Sequence, residues 1–149
     1  MSDMMLRQGT LVRAITLAGA FGIVVGCASM SQPMSSQQIV LSGSNEVPSV
    51  TTSASGTGTV TIKPDRTVSA NISVTGMTAT ASHIHEGAAG TNGSVIVPFT
   101  KTGDNTFAAP EGAKLTESQY ASYKAGNLYV NVHSAKNPGG EVRAQLKGN

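Results

Sequence analysis

The sequence predicts an all-β domain, an antiparallel β-sandwich or small Greek-key barrel carrying one short helix. Three observations lead there. The composition is rich in Thr, Ser, Gly and Val, while aromatic residues make up only 4% and Trp is absent. β-branched residues interrupted by Gly suit short strands and turns rather than helices. Segments of alternating polarity recur with Pro, Gly, Asn and Asp between them, about seven in all. Only one stretch carries helix punctuation.

Taken in order, Ile39–Ser42 reads as a first short strand. Ser44–Ser49 is turn-rich, and Pro48 is unfit for a central strand position. In Gly56–Ile62, Val60 and Ile62 share one face and Thr59 and Thr61 the other. Lys63–Arg66 supplies a turn with Pro64 at a favourable position. Thr67–Val74 alternates again, with Val68, Ala70, Ile72 and Val74 inward, so the two segments form a hairpin. Ala81–Glu86 is a short strand, and Gly87–Gly93 a Gly/Asn loop whose glycines permit positive φ. Ser94–Thr100 is a strand that Pro98 assigns to an edge or a bulge. Lys101–Asn105 reads as a turn. Glu117–Lys124 is the helix, with Thr116 and Gln119 as a capping box and Gly126 or Asn127 as its stop. Leu128–His133 and Glu141–Leu146 are the last strands, separated by the turn Asn137–Gly140.

Residues 1–26 stand apart. Arg7 and Arg13 precede an apolar run from Ala14 to Val25, too short for the roughly 20 residues a membrane span needs. The run ends at Val24-Val25-Gly26-Cys27, which resembles a lipobox, the site where signal peptidase II cuts before a lipid-modified cysteine. This resemblance implies an exported protein held to a membrane by lipid on Cys27. Ala28 in place of Asp favours the outer membrane by resemblance to Gram-negative lipoproteins, with the domain in the periplasm. Residues 28–38 are small and polar and read as a tether, leaving 39–149 as the globular domain. Cys27 is the only cysteine, so the domain relies on its core without a disulfide.

Charge excludes some functions. With 10 Lys+Arg against 8 Asp+Glu, the net charge is +2, too balanced for a nucleic-acid footprint. There is no Gly-x-Ser-x-Gly elbow, and carboxylates are scattered. Gly87, Gly90 and Gly93 are spaced as Gly-x-x-Gly-x-x-Gly, but no helix follows to bind phosphate.

The histidines remain. His83 and His85 lie two apart on one strand and so project from the same face. His133 ends a later strand, on its outward face with Tyr129 and Asn131. Neutral imidazoles suit copper, zinc and nickel. Three of them converge if the two strands are neighbours; otherwise a His-x-His pair is solvated or bonded to backbone. Glu86 and Glu141 are placed either to orient an imidazole or as surface charges. Arg143 alternates outward and either pairs with Glu86, sits near the metal or is solvated.

At these residues the domain resembles a chordin-type (CHRD) domain. The matching stretches are Leu41-Ser42-Gly43-Ser44-Asn45-Glu46-Val47-Pro48, His83-Ile84-His85-Glu86-Gly87 with Ala89-Gly90-Thr91-Asn92-Gly93, Leu128 to Ser134, and Asn137 to Leu146. The resemblance implies an extracytoplasmic β-sandwich more than an activity. His83-Ile84-His85-Glu86 is also similar to the His-Val-His-Glu strand motif of copper/zinc superoxide dismutases, and Val130 to His133 resembles the strand giving a further copper ligand. That likeness implies a superoxide-dismutase-like or immunoglobulin-like sandwich with His83, His85 and His133 as copper ligands, zinc being the alternative ion. The bridging histidine, the zinc histidines and the disulfide of that family have no counterpart here. The expectation is therefore a lipid-anchored copper-binding protein with at most weak redox activity. The alternatives are a metal-free module binding an envelope protein, a polysaccharide or a second copy of itself, and a degraded superoxide dismutase.

Overall fold

The computed structural model describes residues 36–148; Cys27 and the apolar run before it lie outside them. Nine antiparallel strands follow in order: β1 (Ser36–Ser42), β2 (Ser55–Ile62), β3 (Val68–Thr75), β4 (Ala79–Glu86), β5 (Ser94–Pro98), β6 (Thr100–Gly103), β7 (Thr106–Ala108), β8 (Leu128–Ser134) and β9 (Val142–Gln145). The helix α1 spans Glu117–Lys124, between β7 and β8. Their order in the sheet is β5-β4-β8-β9-β1-β2-β3-β7-β6. The sheet curls into a nearly closed barrel. The chain passes straight from β5 to β6 through Phe99, whose N–H donates to Ser82 O of β4, and Lys101 Nζ donates to Ala79 O.

The β2–β3 hairpin has the expected faces: Val60, Ile62, Val68, Ala70, Ile72 and Val74 are all buried. The helix has its capping box, Gln119 N–H donating to Thr116 Oγ1 and Thr116 N–H to Gln119 Oε1. Gly126, at φ +77°, ends it. Pro98 closes β5, an edge strand with a register shift opposite Ile84/His85.

Two expectations need correction. Lys101–Asn105 is not simply a turn: β6 and β7 form a tight hairpin about Asp104-Asn105. β6 is exposed at all four positions, so no alternation betrayed it. β1 begins at Ser36, within the stretch read as tether, because Gln37 is held by its side chain to Tyr123 Oη and to Lys147. Such polar anchoring leaves no apolar pattern in the sequence.

Candidate metal centre

β4 and β8 are neighbours in the sheet, pairing Ala81 with His133, His83 with Asn131 and His85 with Tyr129. Alternation puts His83 and His85 on one face, and this register sets His133 diagonally beside His83. Ring centroids lie 4.8 Å apart for His83 and His133, 5.5 Å for His83 and His85, and 6.0 Å for His85 and His133. One nitrogen from each ring falls in a group spanning at most 4.8 Å, which contains no Cys, Asp or Glu.

The backbone determines which nitrogens face inward. His133 Nδ1 lies 2.9 Å from Pro138 O, and His85 Nδ1 lies 2.9 Å from Gly93 O. A carbonyl can only accept, so both rings carry their proton on Nδ1 and keep a lone pair on Nε2. His85 Nε2 is buried and has no hydrogen-bond partner. His133 Nε2 lies 3.0 Å from His83 Nδ1. With no metal bound, His83 Nδ1–H donates there; with its proton on Nε2 instead, His83 offers a third lone pair.

The face expected to be outward is covered. Every residue of β8 is buried, and His85 is 7% exposed. The cover comes from two loops, Gly87–Gly93 and Ala135–Gly140, whose carbonyls hold the imidazoles. Burial first, then the neighbouring His133 and His85, pushes the His83 imidazolium down to about 4. Burial also lowers His133, against the opposing hydrogen bond to Pro138 O and helped by His85. His83 and His133 therefore favour the neutral form, the state that binds metal.

The carboxylates do not orient the imidazoles. Glu86 accepts a 2.5 Å bond from Ser122 Oγ on α1 instead. Glu141 is buried and accepts from Thr52 Oγ1 and Ser134 Oγ. Arg143 is neither solvated nor paired with Glu86. It is 1% exposed, with its guanidinium carbon 3.4 Å from the centre of the Tyr129 ring. Its Nη2 donates to Thr91 O, Ala88 O and Gln145 Oε1, and its Nη1 to Asn92 Oδ1. Arg143 thus fastens the loop that supplies Gly93 O.

Sequence reasoning missed Tyr129, Gly93, Pro138 and Glu46. Tyr129 stacks on His85 at 4.8 Å and 8°, and its Oη accepts from Gly93 N–H. Gly93 packs so tightly that a Cβ there would stand 1.6 Å from Glu86 O. Glu46 is buried beside Asn131 and Gly140, and burial pushes its carboxyl up to about 7 against the pull of Arg143. Only the loop glycines gave a signal, as a Gly-rich loop immediately after the histidine strand.

A family model described as CHRD domain matches residues 37–146. No curated protein and no solved structure matches the chain.

Proposed function

The chain belongs to the CHRD domain family, and on that premise we propose that it is an exported, lipid-anchored protein whose β-domain binds one metal ion, copper, through His83, His85 and His133. The observation that supports this most is the buried, unpartnered Nε2 of His85 beside the ring nitrogens of His83 and His133. Buried polar atoms are almost always paired, so a lone pair left bare among two others suits a ligand. The donor set is all imidazole, which copper and zinc both accept. Three nitrogens on one ion at 2.0 Å stand about 3.5 Å apart, so the group closes by roughly an ångström to bind.

Bound copper would supply one-electron redox capacity, or be cargo held for storage or delivery. The chain's own contributions are separable from that. Gly93 O and Pro138 O fix the tautomers of His85 and His133. The two loops exclude water from one side of the cluster. A superoxide-dismutase-like role draws no support from Arg143, which is buried and engaged by loop acceptors rather than placed to attract an anion.

Calorimetric titration of the protein with Cu(I), Cu(II) and Zn(II) tests the site. The expected result is one ion per chain, with binding lost in His83→Ala and His133→Ala. No saturable binding, or binding unchanged in both variants, refutes it and leaves the metal-free module. The anchor is tested separately by fatty-acid labelling, which Cys27→Ser should abolish.

A further inference from the structure

We propose that the three-histidine site favours a singly charged ion, Cu(I), over divalent ions, and that Arg143 sets this preference by charge. The inference rests on the metal-binding reading above and adds the charge of the ion.

The ligands bring no negative charge. All three are imidazoles, and no Cys, Asp or Glu belongs to their group among the described residues. A divalent ion would therefore keep its full double charge in a largely buried place. Zn(II) also seeks four ligands, and this group offers three.

Arg143 adds a positive charge behind the site. In the sheet, β8 lies between β4 and β9, so Tyr129 stands between His85 and Arg143. The two stacking distances, 4.8 and 3.4 Å, put the guanidinium within roughly 8 Å of the His85 ring. Tyr129 is 2% exposed, so little water screens the interval. The hydrogen-bond acceptors around Arg143 are neutral: two carbonyls and the amide oxygens of Asn92 and Gln145.

The surrounding carboxylates offset that charge only in part. Glu86 is turned to Ser122 of α1. Glu141 is tied to Thr52 and Ser134, with Lys136 as its nearby cation. Glu46 faces Arg143, but burial holds its carboxyl partly protonated at neutral pH. An ion held at His85 Nε2 would lie beyond that ring, about 9–10 Å from the guanidinium, and through an effective dielectric near 20 the unit charge weights a divalent ion against a monovalent one by roughly 15-fold.

The test is anaerobic competition on the full chain. Cu(I) affinity is read against a Cu(I) chelator and Zn(II) affinity against a Zn(II) indicator, in wild type, Arg143→Lys and Arg143→Gln. In wild type, Cu(I) should hold the site against a tenfold excess of Zn(II). Arg143→Gln should move the Cu(I)-to-Zn(II) affinity ratio toward zinc by about tenfold or more. Arg143→Lys keeps the charge without the forked hydrogen bonds and should leave the ratio within about threefold of wild type. A merely structural role would weaken both ions alike and leave the ratio unmoved. A ratio equal in wild type and Arg143→Gln overturns the proposal, as does displacement of Cu(I) by Zn(II) in wild type. Should Arg143→Gln fail to fold, Arg143→Lys and the wild-type competition still decide: a zinc-preferring ratio in either overturns it. A wild type that binds neither ion refutes the metal site itself, a separate outcome.

Discussion

Burial of the neutral His83 imidazole should make the metal-free protein sensitive to acid, and His83→Asn should relieve part of that sensitivity. Asn is chosen because its amide N–H can replace His83 Nδ1–H as donor to His133 Nε2, yet it does not titrate. In the folded chain the His83 imidazole titrates at about 4, against an ordinary 6.5. The unfolded chain therefore takes up a proton at a pH where the folded chain refuses it. Stability linked to this group is whole above 6.5 and is lost as pH falls from 6.5 through 4. At about 1.4 kcal/mol per pH unit the linkage amounts to about 3 kcal/mol. Solvent reaches part of the ring, and discounting for that leaves about 2 kcal/mol. Glu46 acts with the opposite sign over much of this window, so the wild-type curve alone does not isolate His83. The difference between variant and wild type does. Urea unfolding of EDTA-treated protein at pH 7, 5.5 and 4 should show the variant gaining about 2 kcal/mol on wild type between pH 7 and 4. Parallel curves across that range would refute the reasoning.

Glu46→Gln should stabilise the fold by about 2–3 kcal/mol at pH 8 and by little at pH 4, because the wild-type carboxyl loses stability as pH rises from 4.5 through 7; thermal melts showing no gain at pH 8 contradict this. Gly93→Ala should cost more than about 2 kcal/mol and weaken copper binding together, since its Cβ would collide with Glu86 O and displace the carbonyl that orients His85. Unchanged melting and unchanged titration would remove Gly93 from the site. Glu86→Gln should leave metal affinity within about threefold while costing about 1 kcal/mol through its bond to Ser122; a tenfold loss of affinity would mean that Glu86 acts on the histidines after all.

What could be read from the chain follows from periodicity. The β2–β3 hairpin was legible because each strand buries one face, so Val68, Ala70, Ile72 and Val74 alternate without a break. The helix was legible from Thr116 and Gln119, whose capping is local. His83 and His85 had to share a face on any strand. Their meeting with His133 was not legible, since it depends on β4 lying beside β8, a pairing across about 50 residues that no local pattern encodes. The hairpin of β6 and β7 was hidden for the opposite reason: an exposed edge strand needs no alternation. Arg143 was misplaced because a charged residue on an outward position is solvated unless something covers it, and the cover is a distant loop.

That cover accounts for the chemistry of the site. A ligating imidazole usually donates its second N–H to a carboxylate, a backbone carbonyl or water, and a carboxylate there also brings a negative charge. Here Gly93 O and Pro138 O take that place. A carbonyl fixes the tautomer as well as a carboxylate does but brings no charge. The three carboxylates near in sequence or space are instead tied to Ser122, to Thr52 and Ser134, or held partly protonated. Loops offering backbone oxygen must approach closely, which explains why a glycine stands where any Cβ would strike Glu86 O, and why a buried arginine clamps Ala88, Thr91 and Asn92. The same Arg143 that makes carbonyl orientation possible therefore leaves its own charge behind Tyr129. Neutral ligands and a fixed cation are thus two consequences of one loop arrangement, and both act against a doubly charged ion.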